Sequence, residues 1–250
     1  MLKAPLPRSF SPFPLFPFSI RKLPMPSSST LERSRLTVVL LTIGVNIVAV
    51  LLFSLMPFSD WRTGLALNLI SNAVLMLHAM ELHDRFMWRL MLFGLVVGFA
   101  ELPADAWLVE TTGTLDYSIG GGPMIWRSPI WMPLAWEIVA VQFGYIGTRL
   151  IEWRPVWGLL LAGLWGAINI PFYEEMARQV KWWKYSNCRM FLHTPYFIIL
   201  GEFFIAILLA VLARLVRTKN YRWAILAGVV GGLGIWVCYA GAFWVIEELW

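Results

Sequence analysis

Carboxyl groups inside long apolar stretches are the residues of this sequence that could do chemistry. Glu101, Glu137 and Glu202 each lie within a run long enough to cross a membrane. An acid near the centre of a spanning helix costs about 2.5–3.5 kcal/mol on insertion scales, so such residues usually have a function. A carboxylic acid in apolar surroundings favours its protonated form, and a general acid needs that form to protonate an alkene or an epoxide. The predicted chemistry is general acid catalysis.

The three acids are predicted to lie at one depth. Glu137 and Glu202 lie about seven or eight residues after the predicted starts of the fourth and sixth spans, and Glu101 about eight residues before the end of the third, which at 1.5 Å per residue is a depth of about 10–13 Å. Asp105 lies one turn from Glu101 on the same helix face. The inner halves of the spans have few acids, so we expect a cavity that opens toward the outer side.

Further polar and aromatic side chains are predicted near this level. We expect three of them to orient the catalytic acids or to activate water: Asp105, Glu174 and Asn169. Six others are candidates for substrate binding: Tyr117, Trp136, Trp165, Tyr185, Tyr239 and Asn72. Aromatic rings can stabilise a carbocation by cation–π attraction. The alternatives are a structural hydrogen bond for the buried acids and an interfacial aromatic belt for the rings.

Several other chemistries are not indicated. His78 and His83 are predicted on the inner side and His193 on the outer side, so they cannot form one site. Cys188 and Cys238 have no CxxC spacing, which argues against a zinc site or a disulfide framework. The sequence contains no GxSxG or GxxxxGK[ST] motif and no Lys in the last span. We therefore predict no metal, no cofactor and no nucleic-acid partner.

The elements that position these residues are predicted to be transmembrane helices. Hydrophobic residues make up 59% of the chain and charged residues 14%, against about 25% charged in a soluble domain. Apolar runs long enough to span a bilayer occur seven times, at 36–57, 64–83, 86–109, 129–149, 156–175, 195–216 and 223–246. The predicted fold class is an all-α integral membrane protein with a seven-transmembrane-helix bundle. Residues 31–250 form one domain after a disordered, basic, Pro- and Ser-rich tail (1–30), in which Met25 is an alternative start.

The distribution of Lys and Arg predicts the orientation. Most of them lie in the tail and in the predicted connections on the same side of the membrane as the tail. Basic connections stay in the cytoplasm. The N-terminus is therefore predicted to be cytoplasmic and the C-terminus outside, with the two longer connections on the outer side.

Two segments around those longer connections share one order of residues. Each has an acid, then a Tyr, then a Ser-Pro or Thr-Pro pair before a helix, and then a Glu inside that helix. They are Glu110, Tyr117, Ser128-Pro129 and Glu137 in the first, and Glu175, Tyr185, Thr194-Pro195 and Glu202 in the second. The Ser or Thr is expected to cap the helix that follows. This order predicts an internal repeat of helices 3–4 and 5–6, with chance similarity as the alternative.

These segments also carry a family resemblance. The stretches 112–117, 131–137, 183–185 and 195–202 resemble the membrane carotenoid hydratase family. Pro171-Phe172-Tyr173-Glu174-Glu175 is similar to the Pro-x-Glu-Glu signature of small membrane lycopene cyclases, with one additional residue. Both families have about as many spans as predicted here, and their chemistry is thought to begin with alkene protonation by a carboxylic acid. The resemblance implies a membrane hydratase or cyclase acting on an isoprenoid, carotenoid or terpene substrate.

A non-catalytic membrane protein is the alternative, either a small-solute transporter or a subunit of a membrane complex. A transporter should have polar groups at the midplane and on both sides of it. A subunit should expose small residues for helix packing, and the last span offers Gly228, Gly231, Gly232 and Gly234. The expected partners are membrane lipid or a lipophilic small molecule, with a homo-oligomer or a larger membrane complex left open.

Overall fold

A computed structural model describes residues 28–249. Its long helices are α1 (Ser28–Ser54), α2 (Trp61–Glu81), α3 (Arg85–Ala100), α5 (Met132–Trp153), α6 (Pro155–Gln179), α7 (Tyr196–Thr218) and α8 (Tyr221–Phe243). The short helix α4 (Leu102–Ala106) and a π-helical turn (Trp107–Thr111) prolong α3, and a second π-helical turn (Trp244–Glu248) follows α8. Within the same range there are six two-residue strands: β1 (Leu115–Asp116), β2 (Met124–Ile125), β3 (Ser128–Pro129), β4 (Lys184–Tyr185), β5 (Met190–Phe191) and β6 (Thr194–Pro195).

The predicted all-α class is confirmed. Within residues 28–249, six helical segments are long and apolar enough to cross a membrane, and α5 is not one of them. Each of the predicted spans overlaps one long helix. The predicted tail lies outside the described residues except for 28–30, which form the start of α1. That helix begins before its apolar run because its first turns are held by ion pairs.

The helices begin and end where local chemistry allows. Asp60 caps α2 by accepting a hydrogen bond from the Arg62 backbone N–H, and Asn220 caps α8 in the same way. Pro103 has no backbone N–H, and the α-helical segment is interrupted just before it, at Glu101. The apolar segment nevertheless continues from Arg85 to Thr111, so it is one candidate span with a break beside its acids.

Glycines let the central helices approach closely. α3 packs closely on α5 and α8, and α7 packs closely on α5, α6 and α8, whereas α1 packs mainly on α2. Gly98 of α3 lies against the backbone of Pro133 in α5, and Gly232 of α8 lies against the backbone of Ala100 and Glu101. These contacts set the positions of the break at Glu101 and of the start of α5.

Replacing Gly98 by Ala is expected to lower the free energy of unfolding by about 1–3 kcal/mol, the cost of overpacking a close contact. A Cβ at this position would lie 2.7 Å from the Pro133 Cα. Thermal unfolding of the detergent-solubilised protein measures the change. Gly44→Ala is the control, because no heavy atom would lie within 4 Å of its Cβ, and it should be neutral or stabilising by up to about 1 kcal/mol. Equal losses for the two variants would contradict the close packing of α3 on α5.

A network of ion pairs closes the end of the bundle opposite the long loops. Arg35 of α1 donates two hydrogen bonds of 2.6 Å to Asp84, which precedes α3. Glu32 accepts from Arg35 and, at 2.9 Å, from Arg217 of α7, which also pairs with Glu152 of α5. Burial raises the pKa of Asp84, but hydrogen bonds from Arg35 and from the backbone N–H groups of α3 outweigh it, and the net pKa lies below its ordinary value. The network ties α1 to the α2–α3 connection, α5 and α7.

Candidate functional site

Two long loops meet at the other end of the bundle. We call residues 112–131 the first long loop and residues 180–195 the second long loop. β1 and β4 pair antiparallel, with Leu115 opposite Tyr185 and Asp116 opposite Lys184. The Asp116 carboxylate lies 3.3 Å from the Lys184 ammonium. Because the strands come from different loops, this pairing joins the loops into one cover.

Each loop ends in a small hairpin just before the next long helix. β2 pairs with β3 in the first loop and β5 with β6 in the second. Each hairpin turns through a residue with φ near +55° and has a basic residue paired with an acid from the preceding helical segment. In the first hairpin the turn residue is Trp126 and the pair is Arg127 with Glu110. In the second hairpin the turn residue is Leu192 and the pair is His193 with Glu175. The hairpins set where α5 and α7 begin.

The cover also contacts the start of α2. The Trp182 indole N–H donates to the Asp60 carbonyl and to the Thr63 hydroxyl, both at 3.1 Å. Gly122 of the first loop packs against the Trp61 ring. These contacts place the cover over the space between α2, α5 and α6.

A cavity of about 160 Å³ lies beneath this cover. Its walls come from α1, α2, α5 and α6, with residues of α4, α7, α8 and both loops. Nine of the residues predicted to form the site line it: Asp105, Glu174, Glu202, Asn169, Tyr117, Trp136, Trp165, Tyr185 and Tyr239. Side chains from both halves of the chain therefore meet in one space.

Asp105 is held at the cavity by two hydroxyl groups. The hydroxyls of Tyr117 and Ser128 donate to its Oδ2 at 2.8 and 2.7 Å. Ser128 is in β3, so its predicted role as a helix cap is wrong: α5 begins at Met132, and the Ser128 side chain turns inward to the acid. The first hairpin and the loop before it thus position Asp105, which belongs to α4.

Glu174 and Glu202 are each held by one aromatic donor. The Trp183 indole N–H donates to Glu174 Oε2 at 2.5 Å, and the Tyr239 hydroxyl donates to Glu202 Oε1 at 2.6 Å. Gly201 provides the space for the Tyr239 ring, since a Cβ there would overlap it. Both acids are about one-twentieth exposed. The second long loop therefore holds the Glu174 side chain in place, and α8 holds that of Glu202.

The tyrosines of the loops face these acids. Burial raises the pKa of Tyr185 well above its ordinary value, and the neighbouring Glu174, Asp105 and Glu202 raise it further. Burial also raises the pKa of Tyr117, with Asp105 as the second cause. Both phenols stay protonated at neutral pH, and the Tyr117 hydroxyl donates to Asp105. Tyr185 therefore interacts electrostatically with all three carboxyl groups of the cavity.

Three predicted residues lie outside the cavity lining. Glu101 is fully buried, and neither of its carboxyl oxygens has a hydrogen-bond partner among the described residues. Glu137 is buried in α5 with its backbone against Gly94 of α3. The Asn72 amide donates to the carbonyls of Asn68 and Leu134, at 2.9 and 3.1 Å. Of the three acids predicted to converge, the structure brings Glu202 into the cavity with Asp105 and Glu174.

Two further polar lining residues, Asn46 and Gln142, were not singled out from the sequence. Asn46 of α1, Asn68 of α2 and Gln142 of α5 face the cavity farther from the cover. Asn46 accepts a hydrogen bond from Ser71, and Gln142 donates to Thr42. A single Asn or Gln within an apolar span does not by itself predict a site. Only the packing of α1, α2 and α5 brings these three amides to the same cavity.

The cavity has acids but no bases. Among its lining residues, all within the described part of the chain, no Lys, Arg or His occurs. No group of three His, Cys, Asp or Glu side chains in residues 28–249 is arranged to hold a metal ion. What the arrangement offers is carboxyl groups, hydroxyl groups and aromatic rings in a mainly apolar, partly open cavity.

Comparison with known proteins gives one match. The family described as "Domain of unknown function (DUF6989)" matches residues 102–246. That range begins at α4 and includes all three cavity acids and both long loops. No curated protein and no solved structure matches the chain.

Proposed function

Because the chain belongs to the DUF6989 family, whose description names no activity, we propose a function from the cavity itself. The protein is an integral membrane enzyme that acts on a lipophilic, isoprenoid-like substrate by carboxyl general acid catalysis. One observation carries the proposal. Three carboxyl groups, each held through one oxygen, line an aromatic cavity without a basic side chain. Such a site suits a neutral substrate that becomes positively charged during the reaction.

The acids have different roles in this proposal. Glu202 is the proton donor, because Tyr239 holds one of its oxygens and its other oxygen receives no hydrogen bond from a described residue. A Tyr hydroxyl can both donate and accept, so Tyr239 can pass its proton to Glu202 while it accepts one from water in the cavity. The Trp183 indole N–H can only donate a hydrogen bond, so it holds Glu174 in place but cannot pass a proton to it. Two hydroxyl donors stabilise negative charge on Asp105, which serves as the carboxylate base.

The proposed reaction balances with water alone. The π electrons of a substrate alkene take the Glu202 proton, a C–H bond forms, and the adjacent carbon becomes a cation. In hydration, water adds to that carbon and its extra proton passes to a carboxylate, for a net gain of one water. In cyclisation, a second alkene of the substrate adds to the cation and a neighbouring C–H proton passes to the carboxylate, for a net isomerisation. Trp136 and Trp165, which line the cavity, stabilise the cation by cation–π attraction.

The size of the cavity limits what it holds. An engineered cavity of about 150 Å³ binds one benzene molecule, and this cavity is about 160 Å³. It therefore holds one end of an isoprenoid chain. The rest of the chain leaves along α1, whose Ile43 and Val50 line the cavity and whose Val48 is exposed on the surface. Reaction at a chain end follows from this.

The proposal includes seven spans, with α5 as the additional one. α5 has 22 residues, enough to cross a bilayer. It contains Glu137, Arg149 and Glu152, but it packs against α3, α6 and α7 and so is shielded from lipid. With a cytoplasmic N-terminus, the ion-pair end of the bundle lies at the cytoplasmic side and the long loops lie outside, in agreement with the Lys and Arg distribution.

The proposal also includes the internal repeat of α3–α5 and α6–α7. The matching hairpins support it, as do the matching contacts of Arg127 with Glu110 and of His193 with Glu175. A further match supports it independently: Gly94 lies against the backbone of Glu137, and Gly166 lies against the backbone of Glu202. In each pair a glycine of the preceding helix faces the Glu of the returning helix. The two units meet through β1 and β4.

A small-solute transporter is the second candidate. Asn46, Asn68 and Gln142 continue the polar lining away from the cover, and a solute path needs polar groups near the midplane. This candidate predicts uptake of a solute into proteoliposomes without chemical change, whereas the enzyme predicts a new product.

Deuterium incorporation tests the enzyme. We expect the purified protein in lipid nanodiscs, incubated in D₂O with geranylgeraniol, squalene or lycopene, to form a hydrated or cyclised product with one deuterium on carbon. Alkene protonation by a solvent-exchanged acid requires this label, and mass spectrometry detects it. Empty nanodiscs provide the background. Absence of labelled product from all three polyenes would overturn the proposed enzyme activity.

A further inference from the structure

We propose that the cavity binds single-chain lipophilic amines, with the cationic nitrogen among Asp105, Glu174 and Glu202 and the alkyl chain along α1. The inference names a ligand class for the cavity of the proposed function and rests on that site. It does not require catalysis, because a cation can bind whether or not an alkene is protonated there.

Unpaired carboxyl oxygens are the first argument. Oδ1 of Asp105, Oε1 of Glu174 and Oε2 of Glu202 receive no hydrogen bond from any described residue. The three residues are 4–5% exposed and line the cavity. None of the three oxygens is completely enclosed by protein, so each can accept a hydrogen bond from a ligand in the cavity or face a positive charge there.

The aromatic wall is the second argument. Trp131, Trp182 and Trp183 form a group whose ring centroids lie 5.3–6.1 Å apart, and all three rings line the cavity. Indole faces attract cations, most strongly where water is excluded. Since the indoles and the carboxyl groups border the same space, both attract the same charge.

Size and charge decide the class of ligand. The cavity of about 160 Å³ has room for a trimethylammonium head but not for a long chain beside it. Ile43, Val50 and Leu67 provide an apolar wall for the first part of the chain. An anionic amphiphile of the same length meets three acids and no base at the head position, so its binding is disfavoured.

Equilibrium binding to the purified protein in nanodiscs tests the inference, with empty nanodiscs subtracted for partitioning into lipid. The probes are dodecyltrimethylammonium, dodecanol and dodecanoate, which differ in head charge and share one chain length. We expect saturable binding of the cation, at least about tenfold tighter than that of dodecanol, from cation–π attraction and attraction to the carboxylates. The wild-type protein alone can contradict the inference: saturable binding of dodecanoate as tight as that of the cation would overturn it.

The double variant Glu174→Gln, Glu202→Gln locates the site. It should weaken binding of the cation by about tenfold or more and change that of dodecanol by less than about twofold. Dodecanol binding shows that the cavity is still formed. Glu137→Gln is the matched control, a buried acid outside the lining, and should leave the affinity for the cation unchanged. Equal affinity of the double variant and wild type for the cation would also overturn the inference.

The outcome is separable from that of the proposed function. Amine binding without deuterium labelling of any polyene supports the cation site and rejects the enzyme. Deuterium labelling without selective amine binding supports the enzyme and rejects the cation site.

Discussion

Replacing Glu202 by Gln is expected to reduce turnover of a polyene by about 10²- to 10⁴-fold, the usual contribution of a general acid. Gln has nearly the same shape as Glu and cannot transfer the proton. Its side-chain oxygen still accepts the hydrogen bond that Tyr239 donates to Glu202, so the cavity keeps its form. Initial rates of deuterium incorporation in nanodiscs measure the loss.

Glu137→Gln is the control for this prediction. Glu137 has the same predicted depth and is also about one-twentieth exposed, but it does not line the cavity. Turnover by the Glu137→Gln variant should stay within roughly twofold of wild type, because the substitution removes no interaction that is made only in the transition state. Equal losses in the two variants would show that burial of the acids, rather than their place in the cavity, determines activity.

Replacing Asp84 by Ala is expected to lower the free energy of unfolding by about 3–5 kcal/mol, the usual effect of removing one partner of a buried ion pair. The Asp84 side chain is fully buried, and Arg35 is about one-tenth exposed. The variant leaves Arg35 without its two-point partner and removes the acceptor for the N–H groups of Phe86 and Met87. Unfolding in mixed detergent measures the loss.

Asp60→Ala is the matched control, because Asp60 also caps a helix but its Arg62 partner is largely exposed. It should cost only about 0.5–2 kcal/mol, as for other helix caps. Equal losses in the two variants would contradict the role assigned to the buried Arg35–Asp84 pair.

The Asp84 effect should also depend on pH. The folded-state pKa of Asp84 is lower than its ordinary value, so its contribution is fully present above the unfolded pKa of about 3.9 and is lost as pH falls through the folded pKa. The difference between wild type and Asp84→Ala should therefore be constant near neutrality and shrink below about pH 4. A difference that grows in acid would contradict the assigned sign.

Depth was predictable for the acids, but direction was not. Hydropathy locates the helix ends, and the fixed rise per residue converts position into depth. Glu202 and Glu137 were therefore assigned to one level. Which way each side chain points depends on the rotation of its helix about its own axis, and packing sets that rotation. α7 turns Glu202 toward Tyr239 and the cavity, whereas α5 presents Trp136 and Val139 to the cavity and not Glu137.

The long loops show the same division. Their length and their Ser-Pro and Thr-Pro pairs were evident in the sequence. Two-residue strands have no recognisable pattern, and β1 and β4 lie far apart in the chain, so their pairing depends on the helices that bring them together. For the same reason Ser128 could be assigned only the local role of a cap, whereas its hydroxyl reaches Asp105, which is distant in sequence.

The sequence by itself determined the helical class, the positions of the apolar segments and the restriction of the acids to a few levels, because these follow from composition and from regular helix geometry along the chain. Only the tertiary structure decided that Asp105, Glu174 and Glu202 share one aromatic cavity while Glu101 and Glu137 lie outside it. Contact between distant segments depends on helix rotation and on glycine-mediated close packing, and these are properties of the assembled bundle.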